Sequence, residues 1–171
     1  MSNQDFALID PSRPLLALVR DFRARLWLRD EAPDTELELE GVLAEMFFLF
    51  LRETHSSVLT TTARLNEYCE HLERLCNAEV STEDLRSAPQ FEKWCVCLDH
   101  GAPVLIGSAR DHPLLGHVAR MRSSPLFRLE VSEHWARSWS RVYVLGDYDE
   151  TVARTLALTP LEIMSGNSGG G

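Results

Sequence analysis

The fold is decided by residues 91–108, whose sequence is FEKWCVCLDHGAPVLIGS. Two short runs within this stretch, residues 94–98 and 103–108, are rich in β-branched, aromatic and other apolar side chains. Residues 99–101, Asp-His-Gly, separate the runs and are typical of a turn. Short apolar runs bounded by turn residues predict strands, so the chain enters a β-rich part here.

The same pattern continues to residue 145. Three further runs of β-forming residues, separated by Gly, Pro, Asp and Ser, occur at residues 118–123, 126–131 and 138–145. Together the runs predict four or five strands of an antiparallel sheet or small barrel. Asp149 then predicts the cap of a last short helix at residues 150–158.

The first half of the chain has the periodicity of helices instead. Apolar residues recur every three or four positions, as on the buried face of an amphipathic helix. Thr35 with Glu38, and Ser81 with Asp84, have the spacing of capping boxes, in which side chains satisfy free amides at a helix start. The predicted helices cover residues 12–29, 35–51 and 60–76, with a short fourth helix from Ser81 that Pro89 ends.

The sequence therefore predicts an α+β protein, with a helical N-terminal half packed on a small antiparallel β-sheet or barrel-like module. We expect a helical region at residues 1–85 and a β module with a short C-terminal helix at residues 86–160. Residues 161–171 end in SGNSGGG and are predicted to be a disordered tail.

Composition limits the classes of partner. The 171 residues carry a formal net charge of −9, which repels nucleic acid phosphates and anionic lipid at long range. The start of the chain lacks the basic and apolar regions of a secretory signal. The longest apolar run, residues 42–51, contains Glu45 and is about half the roughly 20 residues that a membrane-spanning helix needs. We expect a cytoplasmic protein without membrane contact and with reduced cysteines.

Five segments of the second half occur in this order: residues 88–94, APQFEKW; 102–107, APVLIG; 111–113, DHP; 123–126, SSPL; and 135–146, WARSWSRVYVLG. They resemble a group of small bacterial proteins of unknown function, which share a Gly-His-Pro turn, a Thr-Ser-Pro step and a terminal Trp-Ala-Arg-Thr-Leu-Ser-Arg-x-Tyr-x-Leu-Gly block. The chain departs from that pattern at Asp111, Ser123, Ser138 and Trp139. The resemblance implies a domain boundary near residue 85 and transfers no function.

The predicted partner-binding surface is acidic. Residues 30–40 contain six carboxylates and no basic residue. Carboxylates favour helix N-termini and solvated helix faces, which is one interpretation of this run. The other is a phosphate-like surface that occupies the nucleic-acid groove of another protein. The partner-binding residues predicted on that basis are Asp30, Glu31, Asp34, Glu36, Glu38 and Glu40.

An alternative surface is basic and aromatic. If residues 138–145 form one strand, Trp139, Arg141, Tyr143 and Leu145 share one face. Arginines interleaved with aromatic residues can pair with phosphates and stack on bases, although the same residues can equally be core aromatics and surface ion pairs. The nucleic-acid-binding residues of this alternative are Arg120, Arg122, Arg128, Arg137, Trp139 and Arg141.

A second alternative is a zinc or thiol enzyme. Its candidate ligands and nucleophiles are Cys95, Cys97 and His100, with His112 and His117 further along the chain. Paired cysteines of zinc sites are usually separated by two or more residues, so buried thiols are the other interpretation. The sequence contains no nucleophile elbow, phosphate-binding glycine loop or HExxH motif.

The sequence as a whole predicts a small acidic regulator or inhibitor that binds a partner protein, and in its sharpest form one that blocks a nucleic-acid-binding complex. We predict no catalytic activity, no cofactor and no metal. The net charge disfavours nucleic acid as the partner. The amphipathic third helix would permit a homodimer.

Overall fold

A computed structural model describes residues 12–31, 38–55 and 61–161. Its helices are α1 (Leu16–Glu31), α2 (Gly41–Glu53), α3 (Thr62–Cys76), α4 (Thr82–Ser87) and α5 (Thr151–Arg154). Its strands are β1 (Gln90–Asp99), β2 (Ala102–His112), β3 (Gly116–Arg122), β4 (Leu126–Glu130), β5 (Trp135–Ser138) and β6 (Val142–Leu145). Among the described helices, none has the length and apolarity needed to cross a lipid bilayer.

Capping side chains determine where two of the helices begin. The Thr61 hydroxyl accepts a hydrogen bond from a backbone N–H in the first turn of α3, at 3.2 Å. Ser81 and Asp84 form the predicted capping box of α4. In contrast, α2 begins at Gly41 and not at residue 35, and its predicted cap Thr35 lies outside the described residues. Gly41 has a φ of +54°, a left-handed conformation that interrupts a helix arriving from the N-terminal side.

The six strands form one sheet in the order β3-β2-β1-β6-β5-β4. Neighbouring strands are antiparallel except for β1 and β6, which run parallel with Gln90 opposite Val144 and Phe91 opposite Leu145. The α+β prediction is confirmed, whereas the sheet is mixed and not antiparallel throughout. The parallel pair arises because the chain forms two antiparallel three-stranded units that meet side by side.

The sheet is curled, because a very short connection joins its two edge strands. In a flat sheet, five strand spacings of about 4.8 Å would hold β3 and β4 roughly 24 Å apart. Only residues 123–125 connect these strands, and such a segment can span at most about 14 Å. Ser123 closes the gap by donating its N–H to the Leu105 carbonyl of β2 and accepting the Leu105 N–H at its hydroxyl, both at 2.9 Å. The result is the predicted barrel-like module.

Both faces of the curled sheet are buried. Along β1, Val96 points to the inner face, where it packs with Phe91 and Tyr143. Cys95 and Cys97 point to the outer face and join the apolar cluster that the helices cover. The cluster on the outer face contains residues of both the helical region and the β module, so the two regions share one core.

Tyr68 of α3 is the centre of the helical packing. Its ring centroid lies 5.8 Å from that of Phe22, 5.0 Å from that of Phe47 and 5.4 Å from that of Phe50. Its buried hydroxyl donates a hydrogen bond to the Leu43 carbonyl at 2.8 Å. One side chain thus contacts both α1 and α2.

We predict that Tyr68→Phe lowers the free energy of unfolding by about 1 kcal/mol, because the ring stays in place while the buried hydrogen bond is lost. Tyr148→Phe is the matched control, since Tyr148 is 41% exposed. The control should change stability by less than about 0.5 kcal/mol. Urea unfolding followed by fluorescence measures both changes, and equal midpoints for the two variants would contradict this role of Tyr68.

Candidate functional site

The aromatic and basic residues predicted to share one strand face do not share it. The predicted strand at residues 138–145 is in fact β5 and β6, and the turn between them contains Trp139 and Arg141. The Ser138 N–H donates to the Arg141 carbonyl at 2.9 Å and closes this turn. The turn contains Ser140 but no Gly, Pro, Asn or Asp, so its sequence is indistinguishable from that of a continuous strand.

The arginines of the predicted nucleic-acid surface contact different parts of the chain. Arg120 and Arg122 lie on the edge strand β3, and Arg122 forms an ion pair with Asp99. Arg128 lies on β4 and forms an ion pair with Glu130. The interpretation of these arginines as partners of carboxylates is therefore correct for two of them. The set does not form one continuous face.

Trp139 is a core residue. Its side chain is 5% exposed, and its indole N–H donates to the Glu53 carboxylate at 2.7 Å. Its ring centroid lies 4.8 Å from that of His71 and 6.1 Å from that of Phe127. Trp139 therefore joins α2, α3 and the sheet, and its faces are not available for stacking on bases.

The cysteine pair on β1 is buried in the outer-face cluster. The Sγ atoms of Cys95 and Cys97 are 3.6 Å apart. Burial raises the pKa of Cys95 to about 12 and also raises that of Cys97, so both are neutral thiols at pH 7. His100, in contrast, is exposed in the turn after β1. Within the described ranges, no three His, Cys, Asp or Glu side chains lie close enough together to hold a metal ion.

The serines between β3 and β6 hold the backbone together. The Ser124 hydroxyl lies 3.0 Å from that of Ser138 and 3.1 Å from that of Ser140, and it also accepts the Ser140 N–H. Two segments of the family resemblance, residues 123–126 and 135–146, meet through these contacts. The cluster therefore joins the connection between the sheet edges to the turn after β5.

The acidic surface is described only in part. Asp34 and Glu36, with the side chains of Asp30 and Glu31, lie outside the described residues. Glu38 and Glu40 are exposed on the approach to α2, and the Glu40 side chain makes no capping hydrogen bond. The acidic partner-binding surface stays a prediction.

The turn between β2 and β3 contains a surface that the sequence did not single out. Leu114 is 79% exposed and Leu115 is 58% exposed, and Pro113 beside them is exposed as well. A turn of this kind usually carries polar residues or glycine. The available sequence signal was the Pro-Leu-Leu-Gly run at residues 113–116, directly after a resemblance segment, in a position too polar in context to be core.

The buried residue before this turn fixes its backbone. The His112 Nδ1 atom accepts the N–H groups of Leu114 at 3.3 Å and Leu115 at 3.2 Å. The Leu115 N–H also points to the His112 carbonyl at 3.2 Å, and Gly116 has a φ of +66°. We call Pro113, Leu114 and Leu115 the hairpin tip.

Comparison with known proteins gives a family and no relative of known activity. No curated protein and no solved structure matches the chain significantly. One family model matches residues 69–168, from the middle of α3 to beyond the sheet. The predicted resemblance of the second half to proteins of unknown function is confirmed at this level. Since the match covers more than half of the 171 residues, the chain belongs to the family of unknown function DUF6634.

Proposed function

We propose that the chain is a small regulator or inhibitor without catalytic activity, which acts by binding a partner protein through the hairpin tip. The observation that carries this proposal is the exposure of Leu114 and Leu115 on a turn whose backbone is already ordered. Exposed neighbouring apolar side chains on a soluble surface favour association. The finer prediction, a block of a nucleic-acid-binding complex by the acidic residues, rests on sequence alone.

The order of the turn supports binding, because the entropy of fixing a loop is lost before the partner arrives. Each leucine N–H is held by the His112 ring, which is itself buried. A rigid apolar projection is the form that a binding anchor takes when it fills a pocket of its partner. The tip would therefore bind with little rearrangement.

The strands that carry the tip are poorly suited to pairing with a strand of the partner. β3 is an edge strand, and bulges interrupt its register with β2 on both sides of Ala109. Bulges twist an edge away from further pairing. We therefore propose that the partner contacts the side chains of the tip and not the backbone of β3.

Charge near the tip indicates the chemistry of the partner. β3 contains no acidic residue, and His117 and Arg120 are exposed on it. The ion pairs of the described residues do not include Arg120. An apolar pocket with an acidic rim is the surface that complements a pair of leucines beside such a strand.

We predict that the double variant L114S/L115S loses the partner. The tagged chain is used to capture proteins from nuclease-treated lysate of its source cells, and captured proteins are quantified by mass spectrometry. At least one near-stoichiometric partner should decrease about tenfold or more, as expected when an apolar anchor is removed. Phe48→Ser is the matched control, because Phe48 is 65% exposed on α2, outside the tip. Equal capture by all three proteins would exclude the tip as the binding surface.

We also predict that stability depends on pH through His112. Burial and, to a smaller extent, the nearby Arg141 lower the pKa of His112 below its usual 6.5. Protonation at Nδ1 would break both hydrogen bonds to the tip. The unfolded chain therefore binds this proton more readily, and the stabilisation present above pH 6.5 is lost as the pH falls below that value.

The measurement is the urea midpoint between pH 7.5 and 5.5 for wild type and His112→Asn. Each histidine of this kind changes the free energy of unfolding by up to about 1.4 kcal/mol per pH unit. His71, whose pKa is also lowered by burial, contributes to the slope of both proteins. The slope should therefore be smaller in the variant but not zero. Identical slopes would show that His112 does not hold the tip in its neutral form.

A further inference from the structure

Arg137 is a half-buried cation without a partner. It lies on β5 opposite Arg128 of β4. Its Nε atom is inaccessible to solvent and has no hydrogen-bond acceptor. Arg137 forms no ion pair among the described residues, whereas Arg128 pairs with Glu130 and also donates to the Ala78 carbonyl at 3.1 Å. A guanidinium in this state is unfavourable, because water has been removed and nothing replaces it.

The carboxylates near Arg137 are already engaged. Asp84 accepts the N–H of Ser81 at 2.9 Å and its hydroxyl at 2.6 Å in the capping box of α4. Those bonds and, more weakly, the charge of Arg137 lower the pKa of Asp84. Glu53, on the other side, accepts the indole N–H of Trp139 at 2.7 Å. Neither carboxylate forms an ion pair with Arg137.

The remaining neighbours of Arg137 add positive charge. His71 of α3 lies close enough for the charge of Arg137 to affect it, and Arg74 lies one helical turn further along α3. Burial, with Arg74 and Arg137, lowers the pKa of His71, against the opposing effect of Glu53. The side of α3 that faces β5 therefore holds two arginines and a histidine without a carboxylate that compensates them.

We propose that Arg137, Arg74 and His71 bind an oxyanion group, the phosphate or carboxylate of a small ligand. A guanidinium pairs with both kinds of group through two parallel N–H bonds, which would satisfy the buried Nε–H and remove the uncompensated charge. The neutral His71 ring adds a donor nitrogen at the same place. This site is separate from the hairpin tip, so it neither requires nor follows from the proposed binding of a protein partner.

The test is a titration of the purified full-length chain with inorganic phosphate, and in parallel with acetate, at constant ionic strength. Constant ionic strength removes general screening from the result. The ring resonances of His71 and the indole N–H of Trp139 are followed by NMR, and the melting temperature is recorded. We expect a saturable shift for at least one of the two anions, with a Kd on the order of 1 mM. The anion that binds more tightly identifies the group.

Arg137→Met should weaken this binding about tenfold or more, since a charged hydrogen bond pair is lost. Without anion, the same variant should melt at a higher temperature than wild type, because an unpaired cation is replaced by an apolar side chain of similar size. A purely structural arginine would give the opposite change. Arg120→Gln on β3 is the matched control and should bind the anion as wild type does.

Arg74→Gln provides an independent variant, because Arg74 is exposed and its loss should leave the fold intact. It should weaken anion binding severalfold. The proposal is overturned if neither anion gives a saturable shift, or if Arg74→Gln and Arg120→Gln bind equally well. It is also overturned if Arg137→Met folds and retains the affinity of wild type.

Discussion

The connection at residues 123–125 is the constraint on which the β module depends. It brings the two edges of a six-stranded sheet together, and both of its ends are fixed. Ser123 is bonded to Leu105 of β2, and the Pro125 carbonyl accepts the Trp139 N–H at 2.9 Å. Because the sheet is curled, its inner face fills with its own side chains, and only its outer face needs a cover. That cover is supplied by the helices.

The outer face explains why the family match begins within α3. The cluster that α3 shares with the sheet includes Cys69, Leu72 and Cys76 of the helix and Cys97 and Ile106 of the strands. Without α3, the strand residues would be exposed to water, at a cost of roughly 1.5–3 kcal/mol for each large apolar side chain. The predicted boundary near residue 85 therefore separates helices from strands, while the core continues across it.

Local signals in the sequence predicted most elements of the fold. The amphipathic pattern of α3 and the capping box at Ser81 are complete within a few residues, and both predictions are confirmed. The errors concern features that depend on distant parts of the chain. The parallel pairing of β1 with β6 follows from the position of the connection between the sheet edges. The turn at residues 139–141 is stabilised by contacts with Ser124 and Pro125, which its own sequence does not reveal.

The candidate sites were less predictable than the fold, because each depends on what is missing around a residue. Leu114 is an ordinary leucine in the sequence, and only its exposure in the folded chain distinguishes it. Arg137 was included in the predicted basic face, but its difference from Arg128 is the absence of a carboxylate partner. Such absences arise only when the strands are paired and the helices are packed.

Both sites depart from the rules that the rest of the structure obeys. Elsewhere apolar side chains are largely buried, thiols are neutral, and the serine hydroxyls hold backbone segments together. A chain that satisfies its local preferences nearly everywhere is expected to violate them where another molecule binds. An apolar tip exposed to water and an arginine without an anion are complementary in kind, because one requires a hydrophobic pocket and the other a charged group. A molecule with these two surfaces and no assembled catalytic group among its described residues is better suited to binding than to chemistry.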